Sequence, residues 1–195
     1  MIRLFDIFFS ALGLIILLPF FIVFYLLIRI ESKGGAFYIQ ERIGKNGKPF
    51  GLYKFRSMRV GSDAEGLLTV GERDNRITRI GYVLRKTKID ELPQLLNVLK
   101  GDMSLVGPRP EVRKYTDMYT EEQRKVLCVR PGITDYASIE YVNENELLSK
   151  ADDPERMYIE KVMPDKIKLN MKYLEHYTVG EYFKIIFLTF NSLVK

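Results

Sequence analysis

A chain of 195 residues, 47% hydrophobic and 28% charged, is long enough for one compact domain plus an anchor and too apolar to be disordered. Its one cysteine, Cys128, excludes an internal disulfide and fits a reducing compartment, and its apolar neighbours mark it as core filler. A net charge of +5 favours anionic headgroups or phosphorylated substrates, and no basic helix or aromatic stacking motif marks a nucleic-acid reader.

Residues 7–28 carry no charge. At about 1.5 Å per residue such a helix just crosses a bilayer core of about 30 Å, and no small-residue cleavage site makes it a signal peptide. It reads as a membrane-embedded helix. Pro19 removes a backbone hydrogen bond from its middle and predicts a kink. Two shapes are open, a bent span or a re-entrant hairpin, and the residues alone favour the span. Arg3 at one end and Arg29 with Lys33 at the other leave the flanking charge undecided. Residues 1–33 read as the anchor and 34–195 as a second unit outside the membrane.

Ala36–Ile43 and Pro49–Met58 read as strands around Gly44-Lys45-Asn46-Gly47, a strong hairpin signal. Residues 61–78 have no period and read as a mobile loop. Ile80, Val83 and Leu84 predict a short helix leading towards Asp90. Thr120 with Gln123 is a capping box for a helix through Val129. Asp153-Pro154 opens a helix over Glu155–Val162 that Pro164 breaks, and a further helix reaches about Tyr177. Thr178 and Glu181 cap a last helix through Val194, apolar enough either to pack on the core or to lie in the membrane interface. The fold class is α+β: a helix-rich single domain with a small β-hairpin, seated on a membrane by the N-terminal helix and interfacial amphipathic helices. His176, the one histidine, reads as a surface residue.

The chemistry concentrates in residues 85–110. Asp90 and Glu91 precede Pro93, which is best tolerated in a first helical turn, and Gly101 ends the helix. The two acids could simply cap it and complement its dipole. A helix start and nearby cations, however, also keep a carboxylate ionised, as a nucleophile must be. Arg109, stiffened by Pro108 and Pro110, and Arg85, Lys54 and Arg56 are candidate cations for a phosphate. A Mg²⁺ held by Asp90 and Glu91 would complete such a site, since Mg²⁺ binds through one or two carboxylates plus substrate phosphates. No Ser-His-Asp set, Cys/His cluster or P-loop pattern is present.

With these residues in view the chain resembles the bacterial sugar transferases, the monotopic phosphoglycosyl transferases. The shared motifs are the proline-bearing N-terminal helix, Gln40-Glu41-Arg42-Ile43-Gly44, Tyr53-Lys54-Phe55-Arg56-Ser57-Met58, Asp90-Glu91-Leu92-Pro93-Gln94-Leu95, the run from Asn97 to Arg109, and Arg130-Pro131-Gly132-Ile133-Thr134. The resemblance implies transfer of a sugar 1-phosphate from a UDP-sugar to undecaprenyl phosphate with release of UMP, an opening membrane step of glycan synthesis. It implies that Asp90 is the nucleophile of a covalent phosphosugar intermediate, that Glu91 holds Mg²⁺ or positions the acceptor, and that Arg109 binds phosphate. It makes the Pro19 helix re-entrant, against the preference from residues alone, and places the protein on the cytoplasmic face of the bacterial inner membrane as a minimal catalytic unit. Homodimerisation and docking of downstream glycosyltransferases stay open, and so does the sugar. Leu18 replaces the family's serine before the proline, and Asp135-Tyr136-Ala137-Ser138-Ile139-Glu140 departs from the family's usual continuation. A diphosphate hydrolase and a non-catalytic module that binds anionic lipid or a partner are the alternatives.

Overall fold

The computed structural model describes residues 1–62 and 74–194, so most of the expected 61–78 loop lies outside the described residues. Helix α1 spans Ile2–Glu31 with Pro19 inside it. Arg3, Asp6, Ser10, Gly13, Leu17, Phe21, Phe24 and Ile28 recur every three or four residues, so they share one stripe, and none of them is fully exposed. The other face presents Ile15, Ile16, Phe20 and Ile30 outward.

Strands β1 (Phe37–Ile43) and β2 (Pro49–Phe55) pair antiparallel, Phe37 opposite Phe55 and Ile43 opposite Pro49. The turn between them is one 3₁₀ turn in which Asn46 and Gly47 take φ of 57° and 73°, the backbone that Asn-Gly tolerates best. Strand β2 stops at Phe55, short of the expected Met58, which makes a lone bridge to Ile77. Next is helix α2 (Arg79–Lys86), capped by Thr78 Oγ1 accepting from Gly81 N at 2.9 Å. After it come a 3₁₀ turn at Ile89–Glu91 and helix α3 (Gln94–Lys100), ended by Gly101 at φ 96°.

No pattern in the sequence marks the next pair. Strands β3 (Ser104–Val106) and β4 (Gly132–Thr134) run parallel. They stitch the Gly-Pro-Arg-Pro turn to the Arg-Pro-Gly-Ile-Thr segment. Gly107 N donates to Thr134 O at 3.0 Å and Gly132 N to Pro108 O at 3.1 Å. The backbones approach so closely that a Cβ on Gly107 would overlap the Arg130 carbonyl oxygen, and one on Gly132 would overlap Gly107 N.

Beyond this pair lie short helices α4 (Arg113–Thr116), α5 (Tyr136–Glu140), α6 (Glu144–Ser149) and α7 (Pro154–Met157), then the long α8 (Met163–Glu175) and α9 (Val179–Val194). The capping box of Thr120 and Gln123 forms reciprocally at 2.9 and 3.2 Å, but it opens a 3₁₀ helix, Gln123–Cys128, rather than an α-helix through Val129. Cys128 is exposed on it, not core filler, because a 3₁₀ helix turns every three residues and sends Val126 inward instead. Pro164 breaks nothing. A π turn at Tyr158–Val162 runs straight into α8, and its shift away from the i→i−4 pattern just ahead of Pro164 makes room for a residue without an N–H, so the helical run continues through it.

Helix α1 is held to this domain along its whole length. Near its start Arg3 donates to Val98 O and Leu99 O at 2.6 and 3.0 Å. Asp6 Oδ1 accepts from Ser104 Oγ, Leu105 N and Tyr182 OH at 2.9, 2.9 and 3.0 Å. Near its end Ile28 packs with Phe55 and Leu84, each burial contributing about 1.5–3 kcal/mol. There the Glu31 carboxylate accepts from Arg79 N and Ile80 N at 2.7 and 3.0 Å. Helix α9 buries Tyr182 and Ile185 completely while Phe187 and Phe190 stay 65% exposed, so it packs on the core with one face and leaves an apolar ridge on the other.

Candidate active site

The site begins with a backbone irregularity. Lys88 adopts φ 58°, rare for a residue with a Cβ, and turns the chain out of α2 into the 3₁₀ turn that carries both acids. Asp90 and Glu91 therefore stand just before α3 rather than capping it. Asn97, fully buried on α3, fixes the height of this turn against the hairpin: its side chain donates to Gly51 O at 2.7 Å and accepts from Tyr53 N at 3.0 Å.

Asp90 is only 6% exposed, and among the described residues no donor bonds its carboxylate. Burial, helped by the negative charge of Glu91, lifts its pKa from 3.8 to about 6, against the pull of Lys54, Arg85 and Lys88. The cations expected to keep it ionised thus do not win outright, yet near pH 7 about nine in ten copies are still charged. Glu91 goes the other way. Burial pushes its carboxyl up, but the guanidinium of Arg109 and the ammonium of Lys54 outweigh that and hold it well below the usual carboxylate range. Arg109 bonds Glu91 Oε1 directly and Lys54 reaches the same oxygen at 3.4 Å. Two adjacent acids are thereby given different states by their surroundings: one paired and permanently charged, one unpaired and poised near neutrality.

Arg109 owes its place to Asp135 as well as to the prolines. Asp135, fully buried, accepts from Arg109 N at 2.9 Å and from Ser138 N at 2.6 Å, bolting the turn to the start of α5. A cavity of about 920 Å³ opens in front of these groups. That is within the range for pockets that enclose a whole small-molecule ligand. Lys54, Arg85, Lys88, Asp90, Glu91 and Arg109 all line it. Arg56 also lines it, but its two terminal nitrogens are spent on Lys33 O and Ser32 O at 2.8 and 3.0 Å, closing the end of α1. Of the predicted site residues, then, five converge and Arg56 is occupied elsewhere.

Among the described residues no group of three or more metal-ligating side chains comes together. The donor set still fits a hard divalent ion. Among the described residues no donor bonds the Asp90 carboxylate, and both cations on Glu91 contact Oε1, leaving Oε2 to a ligand.

The profile of the bacterial sugar transferase family matches residues 1–195. The chain belongs to that family. It is 52% identical over 120 residues to a Bacillus subtilis (strain 168) protein provisionally named an undecaprenyl-phosphate N-acetylgalactosaminyl 1-phosphate transferase, covering 62% of this chain and 67% of that one. It is 42% identical over 137 residues to the UDP-N-acetylgalactosamine-undecaprenyl-phosphate N-acetylgalactosaminephosphotransferase of Aeromonas hydrophila, covering 69% and 32%. It is 34% identical over 195 residues to the UDP-glucose:undecaprenyl-phosphate glucose-1-phosphate transferase of Caulobacter vibrioides (strain ATCC 19089 / CIP 103742 / CB 15), covering 98% and 69%. The chain thus spans about a third to about two thirds of these relatives' own lengths.

Within this sugar transferase domain the structure gives a place to a residue that the motifs contain without showing its role. Arg42 lines the cavity and donates to Pro110 O at 3.0 Å, tying the hairpin to the turn that carries Arg109. A signal for it exists in the sequence: alternation along β1 puts Tyr38, Gln40 and Arg42 on one face, and all three line the cavity.

Proposed function

We propose that this chain is a phosphoglycosyl transferase that moves a sugar 1-phosphate from a UDP-sugar to undecaprenyl phosphate. The observation that carries the reading is the unpaired buried carboxylate of Asp90 beside a Glu91 whose charge is already met by Arg109 and Lys54. An unpaired carboxylate at the wall of a cation-lined cavity is a nucleophile free to attack, whereas a carboxylate kept for structure would be bonded.

In the first half-reaction an Asp90 oxygen attacks the phosphorus that carries the sugar. A new O–P bond forms, the bond from that phosphorus to the bridging oxygen breaks, and UMP leaves with the electron pair. In the second, a phosphate oxygen of the lipid attacks the same phosphorus. The acyl-phosphate bond breaks and Asp90 returns as a carboxylate. Arg109, Arg85 and Lys54 lower the repulsion between anions that would otherwise stop either approach. Asp90 and Glu91 Oε2 would hold Mg²⁺, which when bound neutralises diphosphate charge.

Because relatives of matching sequence are named for N-acetylgalactosamine and glucose phosphate transfer, the donor belongs to the UDP-hexose or UDP-N-acetylhexosamine class. The seating we propose is monotopic, on the cytoplasmic face of the inner membrane, with α1 entering and leaving on one side. What supports it is that both ends of α1 are hydrogen-bonded to the same domain while its outer face is apolar.

The test is UMP release by detergent-solubilised protein across a panel of UDP-sugars, with and without undecaprenyl phosphate. Sustained release that needs the lipid, and is lost in Asp90→Asn, is expected. Sustained release without lipid would make the protein a hydrolase, and an active Asp90→Asn would end the covalent mechanism.

A further inference from the structure

The cavity is chemically lopsided. Four of its cations, Lys54, Arg85, Lys88 and Arg109, gather around Asp90 and Glu91. Beside them the wall also carries Glu111, just after the Arg109 turn, and Glu144 on α6 with Lys166 on α8. Lys166 is 9% exposed and its ammonium bonds Glu144 Oε2 at 2.9 Å, so that pair is neutral as a unit. Glu144 lies near enough to Arg109 to raise its pKa, after the larger effect of Glu91, which puts the pair next to the phosphate end and not in a remote corner. The first wall draws phosphates, whereas on the second each charge already has a partner, Glu144 with Lys166 and Glu111 with Arg42 at 3.7 Å. The second wall offers a donor and an acceptor side by side, which suits a neutral, hydroxyl-bearing group.

Two further observations fall on the same wall. Ser138, on α5, lines the cavity with its hydroxyl buried and without a protein partner. Buried polar atoms normally have a partner, and one left without costs about 1–3 kcal/mol. The Tyr158 ring, 5.4 Å from the Lys166 ammonium, belongs to the π turn ahead of α8, an irregularity that recurs at functional sites.

We infer that Ser138, Glu144 and Lys166 form a subsite for the uncharged, hydroxylated part of the donor. The inference rests on the transferase reading. The hydroxyls can come from the transferred sugar or from the nucleoside of UDP, and the two sources separate experimentally.

The experiment compares the full chain with Ser138→Ala and with the double variant Glu144→Gln/Lys166→Met. The double variant removes both charges together, so neither is stranded. Ser138→Ala breaks no protein hydrogen bond, so it is expected to fold as the parent does and any loss of binding reports the ligand. UMP release is measured with UDP-glucose, UDP-galactose and their 2-acetamido counterparts, together with inhibition by UMP. Donor KM is expected to rise about tenfold in each variant, with kcat falling by less, as for the loss of one or two hydrogen bonds. If the sugar is the occupant, the ranking of the four donors changes and UMP inhibition does not. If the nucleoside is, all donors lose alike and UMP inhibition weakens by the same factor. Donor KM, ranking and UMP inhibition all unchanged in folded variants would overturn the subsite. Should the parent release no UMP at all, calorimetric binding of the same UDP-sugars to the parent and to Ser138→Ala decides: weaker binding to the variant keeps the subsite without the transferase reading, and equal binding rejects it.

Discussion

Replacing Asp90 with asparagine is expected to give a protein that is inactive and yet more stable than its parent at neutral pH. In the folded chain burial and Glu91 lift the Asp90 pKa from 3.8 to about 6. A shift of about two units corresponds to about 3 kcal/mol by which the charged form disfavours folding. The sign comes from linkage. A carboxyl whose folded pKa is raised takes its proton more tightly when folded, so the cost is absent below pH 3.8, grows between the two values and is complete above about 6. Asparagine carries no charge, but its amide has one more N–H to satisfy than the neutral carboxyl that is the zero of this scale, at about 1–2 kcal/mol. The variant should therefore gain about 1–2 kcal/mol at pH 7.5, or about 2–8 °C in Tm for a chain of this size. At pH 4 most of the parent's penalty is gone, and the order should reverse. Thermal unfolding of both proteins in one detergent at pH 7.5 and 4 reads this directly. An asparagine variant less stable at pH 7.5, or a difference that ignores pH, would refute Asp90 as an unpaired buried carboxylate.

Glu91→Gln removes the charge that repels the Asp90 carboxylate and frees Arg109 and Lys54. Turnover should fall about a hundredfold or more, as when a charged positioning group is lost, and the acid limb of the remaining pH–rate profile should move below that of the parent. A limb that stays in place means that Glu91 does not act on Asp90. Gly107→Ala drives a methyl into the Arg130 carbonyl where two backbones touch. The expected cost is about 3 kcal/mol or more, read as loss of folded protein or a lowered Tm, and a variant of parental stability would mean that β3 and β4 are not paired this closely.

Much of this architecture is written locally. The Asn-Gly turn, the Thr78 and Asp153 caps, and Gly101 at the end of α3 each arise from a backbone preference of the residue itself. So does the nearness of Lys54 to the carboxylates in part, because alternation along β2 fixes which face it leaves by. The features that could not be read depend on partners far away in the chain. Strands β3 and β4 are three residues each, too short for any period, and are specified by two glycines that let their backbones meet. Arg56 has the same strand logic as Lys54, but the free carbonyls at the end of α1 claim it first. Glu144 and Lys166 are 22 residues apart on separate helices, and nothing local in the sequence announces their pairing.

The seating of α1 is where local and distant information meet, and it yields the last prediction. By composition α1 is the helix, among the described residues, long and apolar enough to cross a bilayer. At about 1.5 Å per residue its 30 residues reach about 45 Å, more than the apolar core requires. Yet Arg3 and Asp6 bind α3, β3 and α9 at one end, and Glu31 caps α2 at the other. A folded, polar domain cannot hold both ends of a helix whose ends lie on opposite sides of a membrane. With Cys128 changed to serine, a cysteine at Lys33 and a protease-cleavable tag ahead of Met1 should both be reached from the cytoplasmic side alone. The cysteine is read with a membrane-impermeant maleimide on inverted and on intact vesicles. Cleavage of the tag only from the opposite side would make α1 a bent span, and the contacts of Arg3 and Asp6 with the domain could not then exist in the membrane.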